Sequence, residues 1–260
     1  MTSKKFPNIK TILMKILNRT NPNLVFGRFW SEYWAKHIEP MVFFRLWFSL
    51  PFNGQSDRLA VLYGLANIIK PTHAIESGTY LGTSTYLFLG IPSIVKTVSI
   101  ESNPKFHFVA CERWDRESQS GRLDLELGDS RIVIPKFLSS LNRSDARVIC
   151  YLDAHWNGDI PTIQEIQFLV EWGGSWVAII DDFFVPDQNL GEYGFDSYGG
   201  IVVGPEILEP NQGYKLFLTK RHASLETGAR RGTGYLISEN LLGVISNEHL
   251  TEMYLEEYYL

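Results

Sequence analysis

From residue 57 onward, the chain alternates between helical and extended hydrophobic patterns. A stripe of apolar residues spaced three and four apart predicts a helix that ends before Pro71. Apolar runs then predict strands at 73–77, 96–102, 122–128, 147–153 and 176–182, with helical stretches between them. This alternation predicts an α/β fold: a Rossmann-like, doubly wound, mostly parallel sheet with helices on both faces.

The polarity of each strand predicts its place in the sheet. The runs at 148–152 and 177–180 are continuously apolar, as expected of strands covered on both faces, whereas 123–127 alternates apolar and acidic residues. We therefore expect the first, fourth and fifth strands to be central and the third to lie at an edge. Two later runs, at 214–218 and 234–237, predict a C-terminal antiparallel hairpin that closes a seven-stranded sheet.

Composition places the chain among ordinary globular proteins. Its 260 residues are 45% hydrophobic and 20% charged, enough for one α/β core with an extension. We expect a helical N-terminal extension or cap over 1–56 and the main domain over 57–260. The formal net charge of −5 argues against nucleic acid as a partner. Cys111 and Cys150 are expected to be buried reduced thiols, and no secretory signal is recognisable, so we expect a cytoplasmic protein.

The region 26–52 is unusually rich in Phe, Trp and Tyr. A helical cap packed on the core accounts for it, and a substrate lid, a dimer face and a peripheral membrane contact are open alternatives. Its apolar run at 41–52 is too short to span a bilayer, so no transmembrane segment is predicted.

The most informative motif follows the first strand. Gly78 and Gly82 lie in the expected turn between this strand and a helix, where glycine lets backbone pass close to a ligand. Thr83 and Ser84 are expected to cap that helix. Glu101, 23 residues after Gly78 at the end of the second strand, is suited to accept hydrogen bonds from a ribose diol.

Polar residues also end the other central strands. The third strand ends at 128–130, Gly-Asp-Ser, which either contacts an adenine ring or caps a helix without a ligand. Asp153, Asp181 and Asp182 each follow an apolar run, where an unpaired carboxylate loses solvation at a cost of several kcal/mol. Carboxylates satisfied by amides and water are one interpretation. A cation site is the other, with Mg²⁺ expected and Mn²⁺ or Ca²⁺ as alternatives.

Two further features bear on which residues could form this cation site. Consecutive strand residues point to opposite faces, so Asp181 and Asp182 both face one ion only if the chain already turns at Phe183. His155 is expected to face the same cleft, either as a general base or as a packing residue beside Trp156.

In this order, the motifs resemble class I S-adenosylmethionine-dependent methyltransferases, specifically their metal-dependent O-methyltransferase branch. The segment 76–84 is similar to the cofactor loop of catechol O-methyltransferase, and 98–104 to its ribose-binding strand end. The segment 128–130 falls at its adenine contact, and 152–156 and 180–182 at its metal ligands. The three acids also resemble those of Mg²⁺-dependent sugar O-methyltransferases. The resemblance covers roughly residues 57–240.

The resemblance implies S-adenosyl-L-methionine and Mg²⁺ as cofactors. The implied cofactor-binding residues are Glu76, Gly78, Thr79, Tyr80, Gly82, Ser84, Glu101, Ser102, Gly128, Asp129, Ser130 and Asp153. The implied metal ligands are Asp153, Asp181 and Asp182, and the candidate catalytic residues are Asp153 and His155. Two positions depart from the family pattern. Tyr80 replaces a middle glycine, and 157–159 (Asn-Gly-Asp) stand where the catechol enzymes have a lysine base, so that base is not carried over.

The implied reaction is in-line transfer of a methyl group from the sulfonium to a hydroxyl of a small molecule, with a sugar or other polyol as the expected acceptor. Tyr193, Asp196 and Tyr198, in the loop after the fifth strand, are either substrate contacts or loop packing. A homodimer is open. Two other functions stay open: an NAD-dependent oxidoreductase, and a non-catalytic methyltransferase-like module that binds a partner or a membrane surface.

Overall fold

The computed structural model describes residues 50–155 and 158–260. The expected N-terminal extension and its aromatic region lie almost wholly outside these residues, as do positions 156 and 157, so the domain boundary stays a prediction. No helix in the described part of the chain has the length and apolarity needed to cross a membrane.

Helices and strands alternate through most of this region. The helices are α1 Ser56–Ile69, α2 Thr85–Leu89, α3 Pro104–Arg113, α4 Asp115–Gln119, α5 Ser130–Ser139, α6 Thr162–Trp172, α7 Glu239–Leu242 and α8 Asn247–Glu252. The strands are β1 His73–Ser77, β2 Lys96–Glu101, β3 Leu123–Leu127, β4 Arg147–Leu152, β5 Ser175–Ile180, β6 Ser197–Tyr198, β7 Ile201–Val202, β8 Tyr214–Thr219, β9 Gly234–Ser238 and β10 Leu255–Tyr258. Short 3₁₀ turns occupy Pro51–Gly54, Gln188–Leu190, Pro205–Ile207 and Ala223–Leu225.

Eight strands form the main sheet, in the order β10-β8-β9-β5-β4-β1-β2-β3. Strands β3, β2, β1, β4 and β5 are parallel, whereas β9, β8 and β10 each pair antiparallel with their neighbours. The predicted α/β class, the edge position of β3 and the antiparallel pair β8–β9 are confirmed. The predicted count of seven strands is wrong, because β10 adds an eighth beyond β8.

Apolar side chains cover both faces of the sheet. On one face, α1 and α2 contribute Val61, Leu62, Leu65 and Phe88 to a cluster with β1, β4 and β5. On the other face, α5 and α6 contribute Ile134, Leu138, Ile166 and Leu169. The doubly wound arrangement is therefore confirmed. Because the strand order reverses at β1, between β2 and β4, the carboxyl ends of these strands border the crevice where such sheets bind ligands.

Candidate functional site

The loop after β1 lies against the end of β4, and two glycines permit this. Gly78 has a φ of 85°, and a side chain there would overlap the carbonyl oxygen of Asp153. Gly82 has a φ of 66°, and a Cβ there would lie 2.6 Å from Nε1 of Trp114. That indole N–H donates to the Gly82 carbonyl at 2.8 Å. Both positions are therefore closed to larger residues, which fixes the path of the loop.

Tyr80 lies between these glycines in the left-handed region, with a φ of 50°. A glycine would adopt this conformation freely, whereas for a residue with a Cβ it is less favourable by roughly 1–2 kcal/mol. Its ring packs edge-on against Phe106, with centroids 4.5 Å apart. Tyr80 thus replaces the middle glycine of the family pattern while keeping the backbone conformation that a glycine allows.

Glu101 ends β2 beside this loop. Its Oε2 accepts a hydrogen bond from the Tyr80 N–H at 2.7 Å, and its Oε1 accepts one from the Asn103 N–H at 2.7 Å. These amides fix the carboxylate, while each oxygen keeps a further lone pair for a hydroxyl donor. The predicted ribose-binding acid is thereby joined to the predicted cofactor loop. Ser102, the next predicted contact, is exposed.

Glu76 lies beneath the loop and is fully buried. Its Oε2 accepts hydrogen bonds from the hydroxyls of Thr85 and Ser99, both at 2.5 Å, while Oε1 has no partner among the described residues. Burial raises the pKa of Glu76 to about 7, and the two hydroxyls oppose this only in part. Glu76 therefore supports the loop from below, and a contact with a cofactor stays a prediction. Thr79 supports it similarly, since its hydroxyl lies 2.6 Å from that of Ser99.

The two predicted helix caps have different outcomes. Ser84 precedes α2 without capping it, because its hydroxyl accepts the N–H of Phe52 at 3.2 Å, so this prediction is wrong. Asp129 does cap α5, accepting the N–H of Arg131 at 2.9 Å, and it also pairs with the Arg131 guanidinium at 2.7 Å. Gly128 and the buried Ser130 flank this cap. An adenine contact by this segment stays a prediction.

Three carboxylates surround one buried imidazole at the ends of β4 and β5. His155 is 3% exposed, and its Nε2 lies 3.6 Å from Asp182 Oδ2, 3.8 Å from Asp196 Oδ2 and 4.0 Å from Asp153 Oδ1. Neither ring nitrogen has a hydrogen-bond partner in the part of the chain described. Ligand atoms of Asp153, His155 and Asp182 all lie within 4.8 Å of one another. A buried imidazole without a partner, directed at carboxylates, fits a cation site.

The charges in this cluster shift its pKa values. Burial alone would lower the pKa of His155, but the negative charges of Asp182, Asp181 and Asp196 outweigh burial and raise it. Burial and the charges of Asp181 and Asp182 raise the pKa of the Asp153 carboxyl well above its usual range. Both groups therefore hold their protons more tightly than usual, because the neighbouring carboxylates lie so close together.

Asp181 lies beside the cluster, and its carboxylate is taken up by other partners. Its buried carboxylate lies 2.5 Å from Nη2 of Arg58, accepts the hydroxyl of Tyr151, and accepts Nδ2 of Asn53 at 3.1 Å. Burial would raise the pKa of Asp181, but the Arg58 guanidinium outweighs burial and lowers it. The chain turns at Asp182, whose φ is 53°, rather than at Phe183. The two adjacent acids therefore have different partners: Asp181 pairs with Arg58, and Asp182 lies beside His155. The geometry favours His155 over Asp181 as a partner of Asp153 and Asp182.

Two arginines that the sequence did not single out organise this region. Arg58 is fully buried within α1, and the one signal for it was a charged residue inside an apolar stripe. Arg231, in the link before β9, donates Nε to Asp182 Oδ1 at 2.5 Å and also binds the Asp196 carboxylate. No sequence pattern marks Arg231.

The three predicted contacts in the loop after β5 lie in different surroundings. Tyr198 donates its hydroxyl to Asp196 Oδ2 at 2.6 Å, so both residues belong to the cluster. Tyr193 is buried and donates to the Arg221 carbonyl at 2.9 Å, which is loop packing. Of the 157–159 segment, Asp159 pairs with Arg131 at 2.8 Å. Both cysteines are free, Cys150 buried and Cys111 half-buried.

Comparison with known proteins gives structural neighbours alone. No family model and no curated protein sequence matches the chain. Among solved structures, the cofactor-bound protein Rv0187 from MTB is 17% identical, with a TM-score of 0.48, covering 92% of this chain and 99% of its own. A methyltransferase from Geobacter sulfurreducens is 14% identical, with a TM-score of 0.44, covering 92% and 98%.

A third similar structure is the O-methyltransferase TomG from Streptomyces achromogenes, in complex with SAM. It is 14% identical, has a TM-score of 0.44, and the match covers 70% of this chain and 78% of TomG. These similarities are distant in both sequence and structure.

Proposed function

We propose that this chain is a class I S-adenosylmethionine-dependent O-methyltransferase acting on a hydroxyl of a small molecule. One observation carries the proposal: Glu101 at the end of β2 is hydrogen-bonded to the loop after β1, at the rim that also holds the acid–imidazole cluster. A cofactor lying across the switch point would meet a ribose-binding acid on one side and a cation site on the other.

The chain's own residues would bind the cofactor, orient the acceptor and take the proton from its hydroxyl. Glu101 would hold the ribose, and Gly78 keeps the loop pressed against Asp153, which couples the position of the donor to that of the acceptor. Such alignment supplies several kcal/mol of the barrier lowering. S-Adenosylmethionine, when bound, supplies a methyl group on a sulfonium. A divalent cation held by Asp153, His155 and Asp182 would lower the pKa of the acceptor hydroxyl. Asp153 and, without the cation, His155 are the candidates to accept the proton.

The acceptor, the cation and the location are proposed from the sequence alone. The acceptor is a hydroxyl of a sugar or another polyol, the cation expected from the resemblance is Mg²⁺, and the protein is cytoplasmic. These choices rest on the family resemblance of 76–84, 152–156 and 180–182. A screen of hydroxylated acceptors with labelled S-adenosylmethionine would identify the substrate class.

Calorimetric titration tests the cofactor directly. S-Adenosylmethionine and NAD would each be titrated into the full chain, with Mg²⁺ and again with EDTA. We expect S-adenosylmethionine to bind and NAD not to bind. Binding of NAD alone would replace the proposal with an oxidoreductase, and binding of neither would favour a non-catalytic module.

A further inference from the structure

We propose that the cluster around His155 binds a first-row divalent transition ion in preference to Mg²⁺, with Asp153, His155 and Asp182 as its ligands. The inference deepens the proposed function, on which it rests for the role of the ion. It departs from the ligand set that the family resemblance implies, because His155 enters and Asp181 is excluded.

Two of the carboxylates are oriented in the same way. Asp182 is held through Oδ1 by Arg231 at 2.5 Å and directs Oδ2 to His155 Nε2 at 3.6 Å. Asp153 directs Oδ1 to the same nitrogen at 4.0 Å, and its Oδ2 lies 3.4 Å from the Tyr151 hydroxyl, whose proton is donated to Asp181. Arg231 thus holds the outer oxygen of Asp182 as an outer partner holds a metal ligand, and one oxygen of each aspartate faces the same nitrogen.

Asp196 repeats this arrangement from the loop after β5. Its Oδ1 is bound by Arg231, and its Oδ2 lies 3.8 Å from His155 Nε2 while accepting the Tyr198 hydroxyl at 2.6 Å. Because Oδ2 already accepts that hydroxyl, we do not count Asp196 among the metal ligands. It instead helps to hold Arg231 and Tyr198 beside them. Arg231 pairs with both Asp182 and Asp196.

The distances from His155 Nε2 to the carboxylate oxygens suit ligands that share a bound metal ion better than a direct ion pair. Two ligand atoms about 2.1 Å from a common ion are roughly 3.0–4.2 Å apart, and the His155 Nε2 to carboxylate distances of 3.6–4.0 Å fall in that range. A protonated His155 would instead need an acceptor near 2.9 Å for each N–H. Neither ring nitrogen has a hydrogen-bond partner among the described residues, so Nε2 is available to a bound ion.

The donor set selects the class of ion. Mg²⁺ strongly prefers oxygen ligands, whereas imidazole nitrogen suits Fe²⁺, Co²⁺, Ni²⁺ and Zn²⁺. A set made of three aspartates would favour Mg²⁺, but the Asp181 carboxylate is taken up by Arg58, Tyr151 and Asn53. The arginine therefore removes an oxygen ligand, and His155 supplies a nitrogen. This assignment also removes His155 from the candidates for proton acceptor and leaves Oδ2 of Asp153, which is not directed at the ion.

Titration of the full chain with CoCl₂ or MgCl₂, without S-adenosylmethionine, tests the inference. We expect Co²⁺ to bind at least about tenfold more tightly than Mg²⁺ and to develop visible d–d absorption on binding. His155→Ala should lose at least about tenfold in Co²⁺ affinity, as should Asp182→Asn. Equal binding of the two ions, no binding of Co²⁺, or unchanged affinity in a folded His155→Ala protein would overturn the inference.

Matched controls exclude general effects of the substitutions. His222→Ala removes an exposed imidazole and Asp187→Asn an exposed carboxylate, and both should bind Co²⁺ like the wild type. If His155→Ala fails to fold, pulsed EPR of the wild-type protein loaded with Mn²⁺ needs no variant. Coupling to an imidazole ¹⁴N is expected, and a bound ion without it would contradict the ligand set.

Separate titrations keep this inference distinct from the proposed function. Tight Co²⁺ binding without S-adenosylmethionine binding would support the metal site and overturn the methyltransferase. Binding of S-adenosylmethionine without binding of Co²⁺ would support the methyltransferase and overturn the metal site.

Discussion

The carboxylate of Asp181 lies 2.5 Å from the guanidinium of Arg58, and neither side chain is exposed to solvent. Removing one partner of a buried ion pair leaves the other charge unpaired. We expect Asp181→Asn to lower the free energy of unfolding by about 3–5 kcal/mol, measured by urea denaturation. Asp187→Asn, at an exposed position, should change it by less than about 0.5 kcal/mol. An Asp181→Asn protein as stable as the wild type would mean that Arg58 is not committed to this pair.

Glu101 is expected to decide cofactor affinity. Glu101→Ala removes the acceptor for a ribose diol and the anchor of the Tyr80 and Asn103 amides. Because hydrogen bonds to a charged group are worth about 1.5–3 kcal/mol, affinity for S-adenosylmethionine should fall roughly 10- to 100-fold in calorimetry. Glu112→Ala, on the exposed side of α3, is the matched control and should bind normally. Equal affinity of the two variants would remove Glu101 from the cofactor site.

Gly78 is expected to tolerate no side chain. At a φ of 85°, Gly78→Ala would be strained, and its methyl group would overlap the Asp153 carbonyl, so the loop or the end of β4 must move. We expect a loss of about 1–3 kcal/mol in unfolding free energy together with weaker S-adenosylmethionine binding. Gly243→Ala, where φ is −71° and no atom lies within 4 Å of the added carbon, should leave both unchanged.

The buried Glu76 makes stability depend on pH. Since its pKa rises from an ordinary 4.5 to about 7 in the folded protein, the folded state holds a proton that the unfolded state releases. The contribution of Glu76 to stability is therefore full below about pH 4.5 and is lost as the pH rises through about 7. The loss attributable to Glu76 amounts to about 3 kcal/mol.

The variant Glu76→Gln isolates this effect, because an amide of the same shape does not titrate. Urea denaturation of both proteins between pH 4.5 and 8 should show the wild type losing stability relative to the variant as pH rises. Parallel curves for the two proteins would show that Glu76 ionises normally. Thr85→Val, which removes one hydroxyl from the carboxylate, should instead steepen the dependence, since that hydroxyl lowers the pKa.

The order of the sheet could be predicted because burial leaves a direct mark on sequence. Continuous apolar runs became the central strands β4 and β5, and the alternating run became the edge strand β3, whose last two residues are exposed. Strand β10 was missed because it is four residues long, and its first residue, Leu255, is the buried one. A short strand held at the border of a sheet by backbone hydrogen bonds leaves almost no apolar pattern.

The candidate site was less predictable, because it depends on where side chains point. The sequence places Asp181 and Asp182 together, but the left-handed backbone at Asp182 and the buried guanidinium of Arg58 separate their directions. Arg231 reaches Asp182 across 49 positions of sequence, and no local pattern encodes such a contact. Spacing thus identifies the residues that gather at a sheet edge, while packing decides which of them share a ligand.

The contacts of α1 bear on the order in which the protein assembles. Gln55 donates to the Arg231 carbonyl, Ser56 to Thr227 and Arg58 to Thr233, across sequence separations of 171 to 176 residues. Contacts between segments so far apart cost the most chain entropy to close and form slowly. The positions of Arg58 and Arg231 thus depend on the packing of the segment before β9 against α1. A substitution that weakened this packing would therefore disturb Arg58 and Arg231, and with them the charges at the site.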